Sequence, residues 1–490
     1  MAKVCPYRSM AQARISGAGL FSKSSIYPDP YQDIGLRSRM QVRKNPVRYN
    51  LRFQKNGGGD MESSSKDLSR RSFLRRSTAV GAGATAFTIV KPELVRGMAP
   101  AKLKAGLVGC GGRGTQAAQQ LMHANPNVEL VAMADIFEDR LEGSIRKIRT
   151  AKDYPNLESR LKVDAEHRFV GFEAYKKVLA SDIDVVLLCT PPGHRAEHFV
   201  AAVEAGKHIF AEKPFGTDPV SVRKVMAAIE KARTRKLTIQ TGAQRRSQKP
   251  YLETLDKVRS GAIGDIAACY AYWVGSPVVF QKEGRKPGWG DMTWQHRNWY
   301  SYVWICGDQV VEQHLHNIDV CNWFMGTHPE KVVATGGAVW RPKNEIYGNI
   351  YDHISSDFNY ANGVHMSSYC RQFPPGEKIH QNISELIVGT KGRTNCHDLG
   401  SGDKGENPYV QEHINLVKSI LGTGPYINDA MAVAESTMTC IMARESAYSG
   451  QEITWDMIMN SKQDLSPKQF GYDEKMDIPP LPVPGEYKFI

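Results

Sequence analysis

No two of the nine cysteines in this 490-residue chain stand in a C-x-x-C spacing, which argues against a zinc ribbon and against a disulfide framework. Scattered as they are, most are expected to be small buried apolar groups. Long apolar runs are missing as well. Residues 79–90 carry no charge, but twelve residues fall short of the roughly 20 that a spanning helix needs. The body of the chain also lacks net charge. Of 63 Lys+Arg and 51 Asp+Glu, 18 and 6 fall in the first hundred residues, leaving 45 of each sign in the remainder. A neutral body has no overall attraction for a phosphodiester backbone, so nucleic acid is a poor partner and small, weakly charged substrates fit better. At this length two folded domains with appendages are expected.

Residues 1–60 are rich in Arg, Lys, Ser, Gln and Pro without an apolar period, and the expectation is disorder, or an extension ahead of a true start at Met61. Residues 61–100 then place Arg70-Arg71-Ser72-Phe73-Leu74 ahead of the uncharged run and a small-x-small site at Gly97-Met98-Ala99. That order describes a removable export signal, and the paired arginines resemble the twin-arginine type, implying a periplasmic or envelope location. A basic linker before an amphipathic segment is the alternative.

From residue 101 to 242 apolar runs alternate with helical periods, the pattern of a parallel sheet with helices on both faces. The first strand, 103–108, runs into Gly109-Cys110-Gly111-Gly112-Arg113-Gly114 and then a helical stretch. Strand, glycine turn and helix in that order bind a dinucleotide: Gly109 makes the tight turn, Gly111 admits the pyrophosphate, and Gly114 lets the helix pack on the strand. The backbone of Gly112 and Arg113 belongs to the same helix N-terminus, where free N–H groups favour an anion. Asp135 ends the second strand, 21 residues beyond Gly114. There it can accept bonds from the ribose hydroxyls and would repel a 2′-phosphate, which favours NAD over NADP; capping the next turn is its other possible role. A further apolar strand, 183–190, ends at Thr190 and leads into Pro191 and His194 at the ligand edge of the sheet. His194 and His198 also have a metal-ligand spacing, but no third ligand is evident and no metal is expected.

The strand 208–211 presents Glu212 and Lys213, with Pro214 holding the backbone extended and a capped helix starting promptly after Asp218. This puts a lysine at the mouth of the sheet, where a plain surface lysine is the competing explanation. In the second half, Glu312, His316 and Asp319 share one helical face by the i, i+4, i+7 rule, beside apolar Val310, Val311 and Ile318. Burying three ionisable groups together is costly without a purpose. Arg297, Trp299 and Tyr300 combine rings with hydrogen-bonding groups, as a sugar requires, although an aromatic loop sealing the domain junction would look the same.

In the Gly109–Gly114 turn, the Glu212-Lys213-Pro214 motif and the stretch from Gln309 to Asp319, the chain resembles the Gfo/Idh/MocA family over about residues 103–455. The resemblance implies an α/β protein: an N-terminal Rossmann NAD domain (101–242) and a C-terminal α+β domain (243–490) with a large, mostly antiparallel open sheet. It also implies a helix at 429–449 packing back on the first domain. In that family an Asp usually stands four residues before a catalytic His; here those positions hold Glu312 and His316, one methylene longer in the acid. His316 is then the general base, Lys213 stabilises the developing charge on the same oxygen, and Glu312 orients the base or the substrate.

Period-two alternation from Ile266, with later strands at 331–335, 352–360, 364–371 and 383–388 and a hairpin signal at Asn362-Gly363, agrees with the open sheet. The tail after Ser461 is expected to embrace a partner subunit in a dimer or tetramer. The function expected is NAD-dependent hydride transfer with a secondary alcohol of a sugar, polyol or glycoside. Two alternatives stay open: an NAD-retaining glycosidase working by transient oxidation and elimination, and a non-catalytic sugar-binding protein on the same fold.

Overall fold

The structure is a computed structural model that describes residues 102–276, 284–341, 344–373 and 379–490; the expectations for residues 1–100 lie outside them. Six parallel strands form the first sheet: β1 (Leu103–Val108), β2 (Val128–Asp135), β3 (Arg168–Val170), β4 (Val185–Leu188), β5 (His208–Ala211) and β6 (Ile239–Thr241). Their spatial order is β3-β2-β1-β4-β5-β6, so the chain reverses its winding direction between β1 and β4. Loops leaving the carboxyl ends of those two strands diverge to opposite sides and open a crevice, the place where such sheets take ligands. The strands are apolar on both sides because helices cover both faces: Val185, Val186, Leu187 and Leu188 are all fully buried.

The second sheet has seven strands, adding β7 (Ile266–Gly275), β8 (Lys331–Gly337), β9 (His353–Asn359), β10 (His365–Gln372), β11 (Asn382–Gly389), β12 (Gly392–Thr394) and β13 (Ile453–Thr454). In the order β12-β11-β7-β10-β9-β8-β13 every pair is antiparallel except β7 with β10. The expected hairpin is present. Gly363 takes φ +80° in the turn, and β9 and β10 pair from Asn359 and His365 onward. The parallel pair departs from a chain of simple hairpins. It arises because β10 enters the sheet beside β7 after the β8–β9 excursion.

One face of this sheet is buried under the helices Leu315–Met325 and Ala430–Ser449. The latter is buried nearly all round, since it also packs on the helix Pro219–Thr234 of the first domain. Arg444 within it, fully buried, donates to the carbonyls of Thr217 (2.5 Å) and Gly307 (3.1 Å) and is ion-paired with Glu445, which joins the two halves at their seam. The tail makes contacts within this chain, with Tyr487 donating to Glu445 Oε2 and Tyr472 donating to the carbonyl of Ile136. The eight described cysteines are all free, and all but Cys189 are buried. Among the described residues no helix is long and apolar enough to cross a membrane.

Candidate active site

The crevice between β1 and β4 widens into a cavity of about 570 Å³ bounded by both domains. Its floor is the glycine turn. Gly109 has φ +95°, and a Cβ there would lie 2.7 Å from the Cys189 and Thr190 backbone; one on Gly114 would lie 1.8 Å from the Gly109 carbonyl oxygen. Both positions therefore require glycine for close chain crossing. Gly111 and Gly112 have no atom within 4 Å of a would-be Cβ and face the open space. The helix Gly112–Ala124 begins there with no side-chain cap and no acidic residue in its first turn. Its unsatisfied N–H groups and positive dipole end are left to an anion, so these residues fit a pyrophosphate.

Arg113 does not point into that cradle. Its guanidinium is paired with Glu212, with Glu412 at 3.0 Å and with Gln120 at 2.7 Å. Its share of the anion site is its backbone. Glu212 lines the cavity with its carboxylate committed to Arg113, and Gly242 makes room for that carboxylate, since a Cβ there would lie 2.6 Å from it. Asp135 accepts from Cys110 N–H at 2.7 Å through one oxygen and from Phe137 N–H at 2.9 Å through the other. The turn-capping role and the ligand-facing position thus coexist: each oxygen retains a lone pair, and the residue borders the cavity. Burial pushes its carboxyl above the usual range.

Thr190, Pro191 and His194 line the cavity where β4 ends. His194 Nε2 lies 2.8 Å from His296 Nε2, joining the helices Pro192–Glu204 and Asp291–Arg297 across the domain junction. His296 Nδ1 is 2.7 Å from the Met292 carbonyl, which can only accept. His296 therefore carries its proton on Nδ1, and His194 donates from Nε2. Burial holds both imidazoles neutral, His296 at about 4 and His194 well below its ordinary value with His296 beside it. Among the described residues no group of three or more His, Cys, Asp or Glu is disposed to hold a metal.

Lys213, 9% exposed, follows β5 on a cis Lys213–Pro214 peptide. Arg195 donates to the carbonyls of Pro214 (2.8 Å) and Thr190, tying together the turns after β4 and β5. Thr437 on the seam helix accepts from Phe215 N–H at 3.3 Å. Lys213 Nζ donates to the Glu312 carbonyl at 2.6 Å and to its Oε1 at 3.1 Å. Two of three ammonium protons are used, and one remains for the cavity. Glu312 Oε2 accepts from Tyr300 O–H and from Gln313 Nε2 at 2.7 Å. Glu312 thus orients Lys213, and Tyr300, expected to meet substrate, lines the cavity and braces Glu312.

His316 borders the same cavity, its ring stacked on Trp273 with centroids 6.0 Å apart. Burial, then the Lys213 charge, hold it well below the ordinary imidazole value, so it is neutral and able to accept a proton. Trp299 also lines the space.

Two expectations need correction. Asp319 is not on the cavity: the helix breaks at Gln313-His314 into Gln309–Glu312 and Leu315–Met325, the i, i+7 relation fails, and Asp319 takes a two-bond fork from Arg246, both at 2.8 Å. Arg297 lines the cavity on its Asp135 side. It forks onto Asp139 at 2.9 and 2.6 Å and covers the Phe137 ring at 3.6 Å.

Gln244, Trp273 and Gln313 border the cavity and were not singled out. Trp273 could have been: it falls out of step with Tyr270 and Tyr272, on the strand face that buries Cys269 and Ala271.

Residues 103–242 match the family model described as an oxidoreductase family with an NAD-binding Rossmann fold, and residues 251–395 match the GFO/IDH/MocA C-terminal domain. The chain belongs to the Gfo/Idh/MocA family. Within it, the chain is 23% identical over 237 residues to myo-inositol 2-dehydrogenase of Thermotoga maritima, covering 48% of this chain and 59% of that protein. It is 22% identical over 294 residues to scyllo-inositol 2-dehydrogenase (NAD(+)) of Bacillus subtilis, covering 59% and 72%. A third relative, inositol 2-dehydrogenase of Salmonella typhimurium, is 29% identical over 224 residues, 46% of this chain and 54% of that one. The chain thus spans little more than half the length of two of these three relatives. The Lactobacillus casei scyllo-inositol dehydrogenase solved with NAD(H) and scyllo-inositol superimposes with a TM-score of 0.54 at 19% identity, over 72% of this chain and 99% of its own. That likeness shows the Gfo/Idh/MocA fold.

Proposed function

We propose that this chain is an NAD-dependent oxidoreductase that removes hydride from a secondary alcohol of a polyol or sugar. One observation carries this: a lysine from the first domain and an imidazole from the second border one cavity that runs to an uncapped helix N-terminus behind the glycine turn. Gly111, Gly112 and the Arg113 backbone would hold the pyrophosphate, and Asp135 the adenosine ribose. Bound there, NAD supplies the hydride acceptor. His316, kept neutral, takes the hydroxyl proton, and the third Lys213 proton is donated to the same oxygen as its negative charge grows. Glu312, held by Tyr300 and Gln313, fixes the ammonium in place and is a positioning residue. The inositol dehydrogenases among the relatives support cyclic polyols as the first substrates to try.

The deciding experiment identifies the nucleotide that the full chain takes up, then screens inositols and aldoses for its reduction. No binding of NAD, or NADH formation by none of them, overturns the reading. Aglycone release from a chromogenic glycoside without net reduction would favour the glycosidase alternative. The pattern of residues 61–100 supports export by the twin-arginine route, and the open sheet supports a homo-oligomer; a reporter fusion and sedimentation analysis test these two.

A further inference from the structure

The cleft has a second closure, away from Lys213. Just past Asp135, Ile136, Phe137 and Asp139 are each held by residues from beyond position 284. Arg297 forks onto Asp139 with two bonds, 2.9 and 2.6 Å, and lays its guanidinium on Phe137 at 3.6 Å. Tyr472 donates to the Ile136 carbonyl at 2.5 Å, and its ring sits 5.2 Å from that of Phe172, a cavity residue that Phe470 stacks on from behind at 5.6 Å. The tail is itself fixed to the helix Asp291–Arg297: Thr293 Oγ1 donates to the Tyr472 carbonyl at 2.8 Å and Gln295 to that of Met476 at 3.0 Å. Arg297 and Tyr472 are therefore tied together through this helix, and together they bridge the rim where an adenosine would lie.

We propose that Arg297, Asp139 and Tyr472 form a clasp over the adenosine end of the cleft that must open for NAD to enter or leave, so that it sets the rate of cofactor exchange. This rests on the dinucleotide reading of the cleft. The Asp139 carboxylate is 63% exposed while Arg297 is 16% exposed, so the closing pair is accessible to salt. A two-bond fork ordered by a ring beneath it exceeds an ordinary surface ion pair, and the Tyr472 bond and ring cluster add to it.

The test is NADH release from the loaded full chain, followed by fluorescence after mixing with excess NAD. Asp139→Ala, Arg297→Met and Tyr472→Phe are each expected to speed release about tenfold, the worth of about 1.4 kcal/mol. Asp139 does not line the cavity, so its variant leaves the Arg297 charge beside the ligand and separates loss of the clasp from loss of a direct contact. The Asp139→Ala/Arg297→Met double variant should release no faster than either single one, and about 0.5 M salt should speed the wild type but not these variants. Unchanged melting temperatures establish that the variants are folded, with Tyr472→Phe the most conservative. If NAD binds and folded variants release it at the wild-type rate, the clasp is wrong; if the wild type binds no NAD, both the clasp and the function fail.

Discussion

Lys213 Nζ donates to both the backbone carbonyl and the side chain of Glu312, at 2.6 and 3.1 Å, so one domain's ammonium is seated by the other domain's acid. The cost of burying this charge is offset by its two partners, and its position at the cavity is fixed to within a hydrogen bond. Replacing Lys213 with Met should lower kcat by about 10³-fold, the usual size for a lost oxyanion donor, while NAD affinity changes little. Steady-state kinetics with a cofactor titration checks this; a variant with full turnover removes Lys213 from the mechanism.

Glu312 spans from Lys213 on one oxygen to Tyr300 and Gln313 on the other. An Asp cannot reach both sides from this backbone position. Glu312→Asp is therefore expected to lower kcat by about tenfold, the worth of one loosened charge-assisted bond, even though Asp is the residue usual in the family. Turnover equal to or above wild type would show that the longer acid is incidental.

His316 is neutral because burial and the nearby Lys213 charge both oppose its protonation. Removing that charge makes protonation easier, so the imidazole pKa should rise in Lys213→Met, read by NMR titration of the ring. In the wild type, kcat/KM should be flat through neutral pH and fall only on the acid side, below the ordinary value of 6.5. His316→Asn should cost about 10²- to 10⁴-fold in kcat. An acid limb that moves down or stays put when Lys213 is neutral, or a His316 pKa that falls, contradicts the assignment.

The His194–His296 pair should make the protein acid-labile. In the unfolded chain each imidazole takes a proton near 6.5, whereas native His296 resists until about 4. Its stabilising share is complete above pH 6.5 and is lost as pH falls through that window, for His296 by about 3 kcal/mol at pH 4. Melting temperature should drop from pH 7 to pH 5, and less steeply in His296→Asn. Parallel slopes in the two proteins would place the acid sensitivity elsewhere.

Asp135→Ser should weaken NAD binding by about tenfold, since its carboxylate is the acceptor facing the ribose position and also braces the Cys110 and Phe137 amides. Calorimetry decides it, and unchanged affinity would leave Asp135 as a turn cap only.

The first domain was readable along the chain because its signals are local. A strand, a glycine turn, a helix and an acid at fixed distance repeat the covalent order of the site, and Lys213 directly follows a strand that ends at the crevice. The second domain was less so. Its strands show in period-two alternation, but the β7–β10 parallel pair depends on which edge a later hairpin joins. The helix from Gln309 was expected to run unbroken, and its interruption at Gln313-His314 turned Asp319 toward Arg246. Arg297 sits three residues from Tyr300 yet serves the Asp135 side of the cavity, a separation that spacing does not reveal.

By itself, the order of residues determined the dinucleotide cradle, the candidate pair Lys213 and His316, and the family, because these depend on backbone geometry over a few residues and on side-chain chemistry. Only the folded chain decided what holds them: Glu312 seating Lys213, Arg113 committed to two glutamates, and Tyr472 closing over Ile136 from 336 positions away. Such contacts arise from packing two domains on a shared helix, and no local period or spacing records where distant surfaces meet.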